Sequence, residues 1–308
     1  MKKAIYIPVI AGLFFFACKR EHSSSVSPSA KKYKVSFHIA NFTQKQTNFA
    51  LRHGAHTLAL GDTITNLASY FNVLYLQVYR LDIPVNSLVV QDSTMANMGM
   101  ITDSLPAGNY VVDVIAGKKG LTLTRYNLRD FEGLFGYGGL NWQDTFWATA
   151  KITVGSTDMS QDVTLNRVVG KIRLHILDNI PANADSLAMT IAPETNVMFF
   201  DRGYNEGEPP SNTTRIAVKI PQSAKGHPDF ILDKIVGNSF DPFSVSITCT
   251  DASNNVIAHT SVDNVRTGGN IVSVLSGNLF GSTSGSGPQS FTVKVDTAWS
   301  TTINQAGF

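Results

Sequence analysis

The stretch from Asp162 to Pro181, DVTLNRVVGKIRLHILDNIP, alternates apolar and polar residues through Ile172, Leu174 and Ile176. That is the period of a half-buried strand, not of a helix. Valine and isoleucine dominate its centre, which suits a pleated surface. Similar short runs recur along the chain, and no long amphipathic helical pattern separates them. Glycine, serine, threonine and asparagine are frequent between the runs, as expected for many strands joined by turns. The predicted fold is all-β. A chain of 308 residues makes about two domains of ordinary size. The expected division is two consecutive β-sandwiches, over 33–157 and 158–308. Gly155 to Ser160 would link them, and the strands from Asp162 onward would open the second.

Individual strands follow from the same reading. In YKVSFHIANF, Val35, Phe37 and Ile39 share a face. In NVLYLQVYRLD, Val73, Tyr75, Gln77 and Tyr79 face one way and Leu74, Leu76 and Val78 the other. A turn at Pro106, Gly108 and Asn109 leads into Tyr110 to Ala116, a nearly continuous apolar run suited to a central strand. DTFWATAKITVG, DSLAMTIAP, TRIAVKIP, GGNIVSVLSGNLFG and SFTVKVDTAW are further strands, the last two split by the linker-like GSTSGSGP. PDFILDKIVG fits a strand or a helical turn equally well. FSVSITCT and VIAHTSV form a predicted hairpin, with Ser253 to Asn255 at its turn. Thr43 to Asp62 is weakly patterned and reads as a long loop.

Between Thr124 and Thr145 the alternation lapses into a glycine- and aromatic-rich excursion, RYNLRDFEGLFGYGGLNWQDT. Such a long segment is functional or is packed down by its own side chains. Tyr126, Phe131, Phe135, Tyr137 and Trp142 could form a platform for stacking sugars or meeting a partner; alternatively they cover an otherwise open sheet edge.

The N-terminus carries a specific signal. Lys2 and Lys3 precede the apolar AIYIPVIAGLFFFA, which has the length of a signal peptide and is too short for a stable span. It ends at Phe15-Phe16-Ala17-Cys18. A small residue before a cysteine at this point resembles the lipobox of bacterial lipoproteins, although Phe15 and Phe16 depart from the usual residues there. The resemblance implies a signal peptide over 1–17 and fatty-acyl (palmitate) chains on Cys18. Several acyl chains hold a membrane far more firmly than one. Residues 18–32 are polar, serine-rich and broken by Pro28, and read as a tether. Once Cys18 is acylated, Cys249 is the remaining thiol. Its alternation with Val245 and Ile247 places it on an apolar face, as a buried structural cysteine.

Other chemistries find little support. The net charge is +2 and the basic residues are scattered apart from Lys31, Lys32 and Lys34 in the tether, so no nucleic-acid partner is expected. Arg52-His53-Gly54 resembles the start of a histidine phosphatase motif, but His56 replaces the basic residue expected next. His53 and His56, within Leu51 to Leu60, have no third ligand at metal spacing. Asp251, Ser253 and Asn255 begin like a calcium loop that lacks its glycine and closing glutamate. No GxSxG, P-loop, dinucleotide fingerprint or HExxH occurs. No catalytic residue, cofactor or metal is expected, and the chain reads as non-enzymatic.

Several patterns occur together: FFAC, LPAGNYVVDVIAG, DTFWATAKITV, DVTLNRVVGKIRLHIL, VDNVRTGGNIVSVLSGNLFG and the terminal FTVKVDTAW. In this order they resemble the fimbrillin-associated anchor (FimB-like) lipoproteins of Bacteroidetes type V pili. Val169-Gly170 stands where that family would have Val-Ala. The resemblance implies two transthyretin-like β-sandwiches and a lipid on Cys18 in the outer membrane, with the protein exposed at the cell surface. It also implies pilus or fimbrillin subunits as partners, joined by strand complementation, in which main-chain hydrogen bonds supply affinity and side-chain pockets supply specificity. The alternative is a glycan-binding lipoprotein of a polysaccharide uptake system, using the aromatic excursion.

Overall fold

The computed structural model describes residues 30–42, 67, 70–80, 83–85, 88–125, 133–138, 141–195, 197–200, 212–237, 242–281 and 291–296. Among them there is no α-helix, and the chain is all-β. In order, the strands of the first half are β1 (Lys32–Phe42), β2 (Val73–Arg80), β3 (Ile83–Pro84), β4 (Val89–Asp92), β5 (Met100–Pro106), β6 (Gly108–Gly117), β7 (Thr122–Arg125), β8 (Gly133–Gly136), β9 (Thr145–Val154) and β10 (Met159–Arg167). The second half contributes β11 (Gly170–Ile176), β12 (Ser186–Glu194), β13 (Val197–Phe200), β14 (Asn212–Lys219), β15 (Phe230–Val236), β16 (Phe243–Thr250), β17 (Val256–Val265), β18 (Val272–Gly277) and β19 (Phe291–Asp296).

The first sandwich is one sheet folded over at a corner, in the order β3-β2-β6-β9-β10-β1-β5, with β4 also on β2. The alternation in each strand decides what lies inside. Val35, Phe37 and Ile39 of β1, with Val163 and Leu165 of β10, face Leu74, Leu76 and Val78 of β2 and Val112, Val114 and Ala116 of β6 in one core. Burial of each large side chain contributes about 1.5–3 kcal/mol. β6 lies between β2 and β9, which explains its unbroken apolar run. The fold turns its corner where Asn166 and Arg167, at the end of β10, pair with Trp147 and Phe146 of β9.

The second sandwich stacks β15-β11-β18-β19 on β14-β12-β16-β17. Ile172, Leu174 and Ile176 of β11 meet Leu187, Met189 and Ile191 of β12 and Val245, Ile247 and Cys249 of β16. Cys249 is fully buried, and burial pushes its thiol up to about 11, so it is inert at neutral pH. The predicted hairpin joins β16 to β17. Asn254 takes a φ of 64° at its turn, and the Asp251 carboxylate accepts from the Ser253 and Asn255 N–H groups. The ambiguous PDFILDKIVG is a strand, β15, antiparallel to β11. β18 and β19, both expected as strands, pair antiparallel.

The segment expected to open the second half behaves differently. Its first part is β10, which runs parallel to β1 from Val35↔Met159 onward and completes the first sheet. Only from Gly170 does the chain enter the second sandwich. The sequence carries the reason: the inward residues Val163, Leu165 and Arg167 are odd-numbered, whereas Ile172, Leu174 and Ile176 are even. Val168 and Val169, both buried, absorb that change of phase. Gly155 to Ser160, expected as a link between sandwiches, joins β9 to β10 within the first sheet.

Candidate functional site

Four places bear on function: the tether end, the seam between the sandwiches, a polar row on the outer face of the first sheet, and the open strand edges. Cys18 lies outside the described residues, as does the segment from Leu51 to Leu60. Ala30 and Lys31 are exposed, and β1 begins at Lys32. From there the chain is fixed on both sides: Lys32↔Pro106 through His38↔Met100 register it against β5, and Val35↔Met159 through Phe42↔Leu165 against β10. The Lys34 N–H donates to Asp158 Oδ1 at 2.8 Å. β5 is the terminal strand on this side, so its outer ladder groups have no strand partner among the described residues. Met100, at its start, is 59% exposed.

His38, Ser160 and Asp162 meet on the outer face of this layer. Ser160 Oγ and Asp162 Oδ1 both approach the same ring atom, His38 Nδ1, at 3.3 and 3.5 Å. A nucleophile relay needs the hydroxyl and the carboxylate on opposite ring nitrogens. The trio is therefore a surface polar cluster.

The described rings of the aromatic excursion do not form an exposed platform. Phe135, Tyr137 and Trp142 are 1%, 2% and 4% exposed, which removes them as stacking surface for a sugar; Tyr126 and Phe131 lie outside the described residues. The excursion instead supplies β7 and β8, and β13 from the second half pairs antiparallel with β8, Val197↔Gly136 to Phe200↔Gly133. This small sheet caps a third core that also takes in Ile115 and Trp147 from the first sandwich and Val272 from the second. Trp142 stands edge-on to Tyr137 and Phe135, with centroids 5.8 and 6.5 Å apart, and its Nε1 donates to the Thr195 carbonyl at 2.7 Å. A Cβ on Gly237 would come within 2.6 Å of that Nε1 and 2.9 Å of the Thr195 carbonyl, so the tryptophan seat requires glycine there. Gly170 is equally constrained: a Cβ would press into the Thr267 side chain and lie 2.9 Å from the Gly268 carbonyl. Alanine at that position does not fit this backbone.

An ion pair closes the same seam. Arg167 donates from Nε and Nη2 to the two carboxylate oxygens of Asp144 at 2.6 and 2.9 Å, and from Nη1 to Asn270 Oδ1 at 3.0 Å. Its guanidinium also lies 5.1 Å from the Phe146 ring centre. The alternation of β10 points Arg167 inward, and this partner set is what permits its burial.

On the outer face of the first sheet, Gln77, Asp113 and Thr149 form a cross-strand row. Tyr75, Tyr79, Leu88, Ile115 and Leu123 surround Asp113 and Gln77 in a shallow groove. Burial pushes the Asp113 carboxyl up to about 6, against the Thr149 hydroxyl that donates to it at 2.6 Å. The nearby Trp147 Nε1 makes no hydrogen bond. Because the folded value lies above the unfolded one, the fold favours the protonated acid. The stability contributed is fully present below pH 3.8 and is lost as pH rises through about 6. Asp113→Asn is expected to raise stability at pH 8 by up to about 3 kcal/mol and to flatten its pH dependence between about 4 and 6. Urea titrations at several pH values check this; identical pH profiles for the two chains would contradict it.

Among the described residues no three His, Cys, Asp or Glu side chains converge as metal ligands, and no helix is long and apolar enough to cross a membrane. No family model matches the sequence, and no curated protein matches it. Solved structures match the fold. A candidate adhesin from Bacteroides thetaiotaomicron aligns over 87% of this chain and 97% of its own, with a TM-score of 0.53 and 8% identity. A candidate polysaccharide-binding protein from the same species aligns over 80% and 92%, with a TM-score of 0.51 and 9% identity. The fimbrial anchor protein Mfa2 of Porphyromonas gingivalis aligns over 80% and 91%, with a TM-score of 0.46 and 9% identity.

Proposed function

We propose that the chain is a non-enzymatic lipoprotein of the outer membrane, held by acyl chains on Cys18, exposed at the cell surface, and anchoring or helping to assemble fimbrial polymers. The observation that carries this reading is the placement of β1. The strand that follows the tether is clamped between β5 and β10, so the expected anchor leads directly into the first sandwich. The likeness in fold to a candidate adhesin over nearly the whole of both chains supports an adhesion-related role. Pilus subunits are the proposed partners. The outer edge of β5, which meets no further strand among the described residues, is the edge at which strand complementation would add one.

The test replaces Cys18 with Ala in the native host and follows high-molecular-weight polymers in cells and medium. Polymers containing the protein are expected to move from the cell fraction to the medium. If no polymer contains the protein in either strain, the anchor reading fails. Glycan binding is a second reading, favoured by the likeness in fold to a candidate polysaccharide-binding protein. A broad glycan array with no bound member would remove it.

A further inference from the structure

Lys234 lies on the inward face of β15, in line with Leu232 and Val236, where the alternation calls for an apolar residue. Its Nζ crosses the interior of the second sandwich to Glu194, at the end of β12 in the opposing sheet. The Nζ–Oε2 separation is 2.9 Å, with the two side chains 1% and 2% exposed. Other groups converge on the pair: the Thr214 hydroxyl donates to Oε2, the Gly237 N–H to Oε1 at 3.3 Å, and Lys234 Nζ to the Ile235 carbonyl at 3.4 Å. Burial draws the Lys234 ammonium below its usual pKa, and Glu194 is the charge that opposes this. As an ion pair the arrangement is expensive, since desolvating each ion costs several kcal/mol and an apolar pair of similar volume would hold the sheets at least as well.

We propose that Lys234 and Glu194 condense into an intramolecular amide that ties the two sheets of the second sandwich together. One proton passes from Nζ to Oε2 along their hydrogen bond, leaving a neutral amine and a neutral carboxyl group. The nitrogen lone pair adds to Cδ. The Cδ–Oε2 bond then breaks, and Oε2 leaves as water carrying that proton and a second one from Nζ. The step is a condensation with no change of oxidation state and needs no further reactant. The surrounding groups fit its requirements. The Gly237 N–H faces Oε1, the oxygen that carries negative charge in the tetrahedral intermediate and becomes the amide carbonyl. The Thr214 hydroxyl touches Oε2, the leaving oxygen, where it relays protons. Nζ stands 2.9 Å from Oε2, so the entropy cost of bringing the amine and the carboxyl group together is already met by the fold. The enclosed site keeps water from reversing the condensation. None of this depends on the anchor reading.

The experiment is tandem mass spectrometry of tryptic peptides from the denatured full chain, with Lys234→Arg as reference. The arginine variant keeps a cation opposite Glu194 but cannot form this amide. The expected result is a branched peptide joining the Glu194 and Lys234 segments, one water lighter than their sum, with no cleavage after Lys234. The reference should yield two linear peptides. The branched form should accumulate in folded protein and not in urea. Two linear peptides from the native chain, with trypsin cutting after Lys234, overturn the proposal.

Discussion

Trp142→Ala is expected to remove about 3–5 kcal/mol of stability, the usual cost of deleting a large buried ring. The location makes the change more than a cavity. Trp142 packs against Tyr137 and Phe135 of the excursion, while its Nε1–H holds the Thr195 carbonyl just before β13. Truncation therefore empties the third core and also leaves a buried carbonyl unpartnered, which adds about 1–3 kcal/mol. The β8–β13 pairing depends on that support, so the cooperative link between the sandwiches should weaken with it. Calorimetry of the native chain should show one transition, and the variant two, the lower one shifted down by many degrees. Trp142→Phe separates the contributions: it keeps most of the apolar volume and loses only the N–H. A single transition within about 1 kcal/mol of the native value in Trp142→Ala would refute the seam as described.

Arg167→Met should be nearly as damaging, by about 3–5 kcal/mol, for an electrostatic reason. The substitution strands the Asp144 carboxylate in a site where its own side chain is 11% exposed. It also deprives Asn270, in the second sandwich, of its partner in the first. Asp144→Leu combined with Arg167→Met removes both charges and should recover a large part of the loss, because the penalty lies in the uncompensated ion and not in the missing attraction. The difference between single and double variants in a urea double-mutant cycle measures the coupling. If the double variant is as unstable as the sum of the singles, the pair is not acting as a unit.

The periodicity of the chain revealed its strands because each face has one fate. Val35, Phe37 and Ile39 are inward, as are Val245, Ile247 and Cys249, and nothing competes with burial at those positions. The joint was less legible. The alternating pattern runs from Val163 to Ile176 almost without interruption, and its division between two sandwiches rests on a slip of one residue at Val168 and Val169. That slip is visible in the sequence once the phase of each segment is counted separately. The aromatic excursion left two readings open for a different reason. Composition alone cannot distinguish rings that meet a ligand from rings that meet another part of the same chain. The partner strand, Val197–Phe200, lies about sixty residues further on. Arg167 and Lys234 were missed as buried groups because each occupies an apolar phase position while carrying a charge. Only the positions of Asp144 and Glu194 in space make that burial tolerable.

The position of β1 has a mechanical consequence. A force drawn along this strand from its Lys32 end does not peel the ladder open one rung at a time; it slides β1 lengthwise past β10 and β5 together. In that shear geometry all the rungs share the load until they fail in concert. Resistance to tension is then set by the rate of that one rupture and not by equilibrium stability. A fold of modest thermodynamic stability can thus hold fast under a pull on its leading strand.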